Sequence, residues 1–227
     1  MIQVPRIAAV GLASLLLASA AFAGDGAHKH KGDHGPKISK TYDLKNFEKI
    51  YAAGVYEIEV TVGEPFAVEL TGYESDMART NLKVKNGYLK LDHTDRGLWG
   101  RKSNHHSVAA KISMPDIKSI DVSGVVDGWI KGIDAERFDV TVSGVGDLDL
   151  EGACEVLKAR ISGVGDVTAR RLECRQVDVA VSGVGDASVY ASEEIDATVS
   201  GMGDIDVFGS PEKVRETSGM FSEVTLR

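Results

Sequence analysis

Apolar and polar residues alternate with a period of two in a series of short segments along most of the chain. Ahead of a recurring Ser-Gly pair, the residues one, three and five positions before the Ser are apolar, as at Phe138, Val140 and Val142. This period is typical of a β-strand with one buried face. After the pair the alternation changes phase, and the next apolar pair falls five and seven residues after the Ser, as at Leu148 and Leu150. Each change of phase predicts a corner between two strands.

The Ser-Gly pair belongs to a longer unit that recurs at a nearly constant spacing. The unit is SGVVD in its first copy, SGVGD in the next three, SGMGD in the fifth and SGMFS in the last. Its serines are separated by steps of 20, 19, 20, 18 and 18 residues and stand at Ser123, Ser143, Ser162, Ser182, Ser200 and Ser218. Repetition at a fixed period of this length is the signature of a solenoid.

One unit contains three short faces and three corners. Ser-Gly forms the first corner and Gly-Asp the second, where we expect glycine because tight bends often need a positive φ. Segments such as Glu151–Cys154 form a third, looser corner. The prediction is an all-β fold, a right-handed parallel β-helix with coils of about 18–20 residues, with the Val, Ile and Leu columns stacked inside. An up-and-down sandwich is the alternative, but its hairpins do not require identical corners at near-constant spacing.

The same pattern extends upstream of the repeats. Ala53–Val60 matches the unit, with Ala in place of Ser and Glu in place of Asp. Residues 38–115 are therefore interpreted as the opening coils of a single domain that spans residues 38–227. We expect a short helix within Tyr73–Asn81 and an irregular loop at Thr94–Ser107. At the other end, Phe221 replaces a corner Gly and is predicted to cap the last coil, and open solenoid ends would allow oligomerisation.

The first 23 residues have the pattern of a secretory signal peptide. Arg6 precedes an apolar run, Ile7–Ala18, and Ala21–Ala23 is an A-x-A cleavage site. An uncleaved membrane anchor is the alternative, but the run is short for a spanning helix. We expect a periplasmic or secreted protein with no membrane insertion after cleavage.

A polar leader, residues 24–37, follows the cleavage site. It has no hydrophobic periodicity and is typical of a solvated tail. Closely spaced imidazoles can also chelate Cu(II), Ni(II) or Zn(II), so weak metal binding is the alternative for its three histidines, His28, His30 and His34.

Composition and charge narrow the choice of partners. The chain has 227 residues, of which 43% are hydrophobic, 26% are charged and 25 are Gly, with a formal net charge of −8. That content of apolar residues is enough for a substantial core. The negative charge disfavours nucleic acid and anionic membrane surfaces as partners.

The segments FEKIYAAGVYEIEVTVG and NGYLKLDH, together with the serial SGVGD units, resemble the GIN-domain family of exported bacterial adhesin heads. The resemblance covers about residues 40–227. It implies a β-helix-like exported domain without an established biochemical activity, and it supplies no catalytic motif.

Two cysteines occupy the same phase of successive coils. Cys154 and Cys174 each lie eight residues before the Ser of their unit, so their Cα atoms should be near 5 Å apart. A disulfide is favoured in an exported chain, and a stacked pair of free thiols is the alternative.

The repeat also predicts a column of carboxylates at the second corner. Neighbouring carboxylates about 5 Å apart repel by roughly 0.8 kcal/mol in water and about 3 kcal/mol at an effective dielectric constant of 20. Each Asp can relieve this by accepting hydrogen bonds from the backbone of its own turn. Alternatively, adjacent carboxylates can hold Ca²⁺ or another hard cation. The residues concerned are Asp127, Asp147, Asp166, Asp186 and Asp204.

The loop Thr94–Ser107 has the densest cationic and aromatic cluster in the chain. It either decorates the solenoid or binds a glycan or an anionic envelope partner. Its candidate residues are Arg96, Trp99, Arg101, Lys102, His105 and His106.

These features favour a non-enzymatic exported scaffold or adhesin-like protein that binds an envelope protein or a glycan and has no cofactor. A cation-binding envelope module and a polysaccharide-active enzyme are the alternatives. The carboxylates argue against an enzyme, because they are repeated corner residues and not a single cluster.

Overall fold

The computed structural model describes residues 35–93, 106–220 and 222–227. The proposed signal peptide lies outside these residues, as do the three leader histidines and Phe221. Among the described residues, no helix is both long enough and apolar enough to cross a membrane.

The described chain is almost entirely β and forms a solenoid of about 5 turns, which confirms the predicted fold class. Strand pairing joins all of its strands in one continuous sheet that bends at the corners. The strands are β1 (Lys37–Tyr42), β2 (Lys49–Ala53), β3 (Val55–Val62), β4 (Ala67–Tyr73), β5 (Thr80–Lys85), β6 (Tyr88–His93), β7 (Val108–Met114), β8 (Ser119–Val122), β9 (Val125–Val142), β10 (Val145–Ile161), β11 (Val167–Val181), β12 (Ala187–Val199), β13 (Ile205–Gly209), β14 (Lys213–Ser218) and β15 (Val224–Leu226).

The repeats stack in parallel and in register. Leu157 of β10 lies beside Val177 of β11, which lies beside Ile195 of β12, and all three side chains are buried. Columns of this kind form the core, as the period-two pattern predicts. The third corner is a bulge and not a loop, because β10 continues through it with a register shift between Leu150 and Gly152 relative to β9.

The coils do not stack in the order of the chain. β3 pairs on one side with β7 and on the other with β9, and β2 likewise lies between β6 and β8. The first coil of the sequence is therefore inserted between the second and the third. The prediction that residues 38–115 form opening coils of the same domain did not include this order.

The end of the solenoid nearest the N-terminus is not a parallel coil. β5 pairs antiparallel with β6, β4 with β7, and β1 with β4. These strands extend the sheet beyond β6 and β7, and a short helix, α1 (Glu74–Met77), lies within the segment where one was expected. The antiparallel pairing at this edge was not part of the predicted parallel stack, and it arises because β5 and β6 form a hairpin and β4 runs opposite to β7.

Glycine is required at both tight corners because the backbones of successive coils approach closely, and at the second corner also because φ is positive. A Cβ on Gly163, in the first corner, would lie 1.9 Å from the carbonyl oxygen of Gly144 in the preceding coil. Gly165, in the second corner, has a φ of +141°. Positive φ was expected at both corners, but the first requires glycine because backbones of successive coils approach closely there.

Candidate functional site

Three columns of outward side chains share one face of the solenoid, formed by β3, β9–β13 and the corners that precede them. We call it the Asp face, and it consists of a valine column, an aspartate column and a third column that contains Trp129. The strand alternation fixes this arrangement, because Val125, Asp127 and Trp129 are exposed while Val126, Gly128 and Ile130 are buried.

The valine column points to solvent. We expected Val, Ile and Leu columns to stack inside, but the change of phase at the Ser-Gly corner turns this column outward. Its members also pair with one another across successive coils, as Val145 does with Val164 and Val164 with Val184. The exposed fractions are 46% for Val125, 47% for Val145, 50% for Val164, 42% for Val184 and 58% for Met202.

The aspartate column is a hydrogen-bonded ladder between coils. The backbone N–H groups of three members donate to Oδ1 of the Asp one coil earlier, at 3.0 Å from Asp166 to Asp147 and at 2.8 Å from Asp186 to Asp166 and from Asp204 to Asp186. Glu223 N–H continues the ladder to Asp204 at 2.8 Å. We expected each Asp to accept hydrogen bonds from the backbone of its own turn. The acceptors instead bond to the next coil, because the parallel stack places each donor directly beside the preceding carboxylate.

Metal-binding geometry was the alternative for this column. Among the residues that the structure describes, no three His, Cys, Asp or Glu side chains are grouped so that they could hold a metal ion. In the ladder, Oδ1 of Asp147, Asp166, Asp186 and Asp204 accepts a hydrogen bond from a backbone N–H of the next coil.

The ladder is not neutralised by cations of its own face. Within the described ranges, no Lys or Arg lies within 4.0 Å of its carboxylates, whereas the third column is paired, with Arg171 3.0 Å from Asp149 and Arg227 2.9 Å from Asp206. The Asp face therefore retains a line of uncompensated negative charge beside an apolar column.

Trp129 is an exposed aromatic residue on this face. It is 47% exposed and lies in register between Glu59 of β3 and Asp149 of β10. A large exposed aromatic side chain among charged groups is uncommon and is typical of binding surfaces. Trp129 does not recur in other coils and so gives no repeat signal in the sequence, although its parity with Asp127 predicts an outward side chain.

Three hollows on the Asp face join into one trough. The first, of about 450 Å³, is lined by Glu57, Glu59, Trp129, Asp149, Arg171 and neighbours. The second, of about 360 Å³, shares Trp129 and Asp149 with the first. The third, also of about 360 Å³, shares Asp166 and Thr168 with the second and extends past Ser188 to Glu223 and Thr225.

The outward face of the other strand segments, called here the ion-paired face, carries balanced charge. Its columns contain Asp139, Lys158 and Asp178 in adjacent coils, and Asp121, Thr141 and Arg160 beside them. Arg137 pairs with Asp139 at 2.8 Å, and Arg160 pairs with Asp178. The two faces therefore differ sharply in electrostatic character.

A hollow of about 430 Å³ on the ion-paired face contains the half-buried Asp121. Burial raises the pKa of Asp121 above its ordinary value, although hydrogen bonds from Thr141, Ser119 and Tyr88 oppose the shift. Lys118 at its rim pairs with Glu48 at 2.6 Å. We interpret this polar cluster as part of the ion-paired structural face.

Cys154 and Cys174 are joined by a disulfide across successive coils, with Cα atoms 4.5 Å apart. They are register partners of β10 and β11, and both side chains are buried. The bridge therefore ties two coils together from within the core and is not a reactive surface group.

Most of the candidate loop lies outside the described residues, namely Arg96, Trp99, Arg101, Lys102 and His105. His106 is described, and its ring centroid lies 4.8 Å from that of Tyr73. Its Nδ1 is 3.7 Å from Oδ2 of Asp76, which is only 2% exposed. Sequence reasoning did not identify Asp76, because a carboxylate in a four-residue helix carries no signal of burial.

A family model described as "putative auto-transporter adhesin, head GIN domain" matches residues 46–211, which include β3 and β9–β13 of the Asp face. The chain belongs to the GIN-domain family. The resemblance inferred from the SGVGD units is thereby confirmed. No protein of curated function matches the chain in sequence.

Two solved structures resemble this chain in fold. A "putative adhesin" from Bacteroides fragilis is 26% identical, with a TM-score of 0.71, and the match covers 85% of this chain and 97% of that one. A "putative lipid binding protein" from Parabacteroides distasonis is 14% identical, with a TM-score of 0.51, covering 84% of this chain and 97% of that one. The second likeness concerns the fold alone.

Proposed function

We propose that this GIN domain is an exported, non-enzymatic, adhesin-like protein that binds a cell-envelope or cell-surface ligand through its Asp face. The observation that carries the proposal is the exposed valine column. Five stacked aliphatic side chains remain about half exposed on a domain that otherwise buries its apolar columns.

An exposed apolar patch of this kind marks interaction sites in soluble proteins. Burying a fully exposed Val is worth about 1.5 kcal/mol or more, so a partner that covers the whole column gains several kcal/mol. The adjoining aspartate ladder adds selectivity, because its uncompensated charge disfavours anionic partners.

Membership in the GIN-domain family supports the adhesin-like role. Export is supported by the sequence pattern of residues 1–23, which has the three regions of a signal peptide. A stack of parallel coils suits a domain that presents one extended face to a ligand.

The test uses the mature domain, residues 24–227, coupled to fluorescent beads. The beads are applied to intact bacteria, isolated cell envelopes, mucin-coated wells and immobilised polysaccharides, with beads carrying the heat-unfolded domain as the control. We expect saturable binding by the folded domain to at least one of these surfaces. Equal retention of folded and unfolded beads on every surface would contradict the proposal.

A further inference from the structure

The trough on the Asp face has the dimensions of a site for a linear polymer. It crosses β3, β9–β13 and β15, which at a strand spacing of about 4.8 Å gives a length of roughly 29 Å along the solenoid axis. Each of its three hollows falls within the usual range of about 300–1,000 Å³ for ligand pockets. Because neighbouring hollows share lining residues, one chain can occupy all three.

The groups that line the trough call for a ligand rich in hydrogen-bond donors. Its outward side chains are mainly carboxylates, which only accept hydrogen bonds, together with the hydroxyls of Thr168, Ser188 and Thr225. The cations in the lining, Lys131, Arg171 and Arg227, are each paired with a carboxylate of the same face, so the carboxylates remain in excess. Near one end, the exposed indole of Trp129 offers a flat face with negative electrostatic potential. Sugar rings match both features, since they carry several hydroxyl donors and present polarised C–H groups to an aromatic face.

The repeat distance favours a glycan over a peptide. Outward groups recur along the trough at the strand spacing of about 4.8 Å, and the length of one pyranose ring with its glycosidic oxygen is close to this step. Alternate side chains of an extended peptide are about 6.7 Å apart, so a peptide laid along the axis loses register within a few coils.

We propose that the trough binds a linear glycan of neutral pyranose rings, laid along the solenoid axis with one ring stacked on Trp129. This inference rests on the proposed adhesin-like function and names its ligand class. The excess of carboxylates over the three ion-paired cations disfavours uronate-rich chains by repulsion, and neutral rings satisfy the acceptors without a counter-charge.

The test is a glycan array of neutral, uronate-containing and sialylated linear oligosaccharides, probed with the labelled mature domain. We expect retention on neutral chains, with hexasaccharides binding at least about tenfold more tightly than disaccharides of the same linkage because more of the trough is filled. Trp129→Ala should weaken binding about tenfold, equivalent to about 1.4 kcal/mol of stacking.

A matched pair of variants separates the trough from the rest of the surface. Thr168→Arg fills the trough and should abolish binding, whereas Thr198→Arg, on the ion-paired face of the next strand, should leave it unchanged. Titration of Trp99→Phe, which leaves Trp129 as the sole tryptophan, should give a fluorescence change on addition of the best array hexasaccharide.

Three results would overturn the inference. These are no retention on any neutral chain, a preference for uronates, or binding that Trp129→Ala and Thr168→Arg both leave unchanged. If the beads still bind a surface, the adhesin-like function remains supported. Competition of bead binding by hexalysine but not by glycans would favour a cationic peptide instead. Shortening of the bound oligosaccharide would contradict the non-enzymatic role.

Discussion

At the scale of single residues, each coil depends on contacts that repeat exactly one coil away. The first-corner glycine is the clearest case, because the carbonyl of the glycine below occupies the position that a Cβ would take. The aspartate ladder is the second, because Oδ1 of Asp147, Asp166 and Asp186 accepts the N–H of the Asp in the next coil. The SGxGD sequence therefore repeats because its Gly and Asp residues make backbone contacts between successive coils.

Gly163→Ala should destabilise the domain strongly. The new Cβ would lie 1.9 Å from the carbonyl oxygen of Gly144, and neither backbone can move without disturbing the stack on both sides. We expect a loss of about 3 kcal/mol in the free energy of unfolding, measured by urea denaturation. Val164→Ala, one residue away and half exposed, is the control and should change it by less than about 1 kcal/mol. Equal effects would contradict the close-approach explanation.

Asp166 separates a structural role from a cation-binding role. Asp166→Asn keeps the oxygen that accepts Asp186 N–H and removes a repelling charge, so its melting temperature should equal or exceed that of the wild type. Asp166→Ala loses the acceptor, which should lower stability by about 1 kcal/mol. Calcium chloride should do no more than sodium chloride of matched ionic strength. A calcium-specific rise in melting temperature that Asp166→Asn abolishes would show that the column binds cations.

At the scale of strands and coils, the notable feature is the insertion of the first coil between the second and the third. β3 pairs with both β7 and β9, so it separates two strands that follow it in the sequence. Such non-local pairing costs loop-closure entropy before any stabilising contact between the coils forms. We therefore expect the N-terminal part to fold late.

Cross-linking tests this order. The native bridge shows that register partners in adjacent parallel strands can form a disulfide in this fold, with Cα atoms 4.5 Å apart. In a background with Ala at positions 154 and 174, Glu57→Cys should cross-link with Ala109→Cys in one variant and with Asp127→Cys in another. Ala109→Cys with Asp127→Cys should not cross-link, because β3 lies between them. Efficient formation of that third bridge, seen by mass spectrometry without reductant, would place the coils in chain order.

The sequence predicts the repeat region better than its beginning, for a physical reason. Period-two burial at residues such as Val177 and Ile195, and identical corners, define the parallel register locally. Ala53–Val60 fits the same unit, but its side chains do not indicate which coil it will contact. The outward direction of Val164 also escaped prediction, because a valine next to a corner looks the same whether the corner turns it inward or outward.

At the scale of the whole molecule, the solenoid presents two faces of different character. The ion-paired face alternates charges between coils, as Asp139, Lys158 and Asp178 do. The Asp face has an unpaired carboxylate ladder, an exposed valine column and a trough that contains Trp129. Self-repulsion along the ladder opposes folding, and the ladder hydrogen bonds offset part of it.

The most direct test of this account compares the two faces in one binding measurement. Val164→Ser with Val184→Ser removes apolar surface from the Asp face without adding charge, and Ala180→Ser with Thr198→Ser makes an equally small change on the ion-paired face. Both double variants should melt close to the wild type, since all four positions are outward-facing. Coupled to beads and applied to the surface that retains the wild type, the valine variant should bind about tenfold more weakly and the control variant unchanged. Equal binding by all three proteins, or a loss confined to the ion-paired face, would contradict the assignment of the Asp face as the ligand-binding surface.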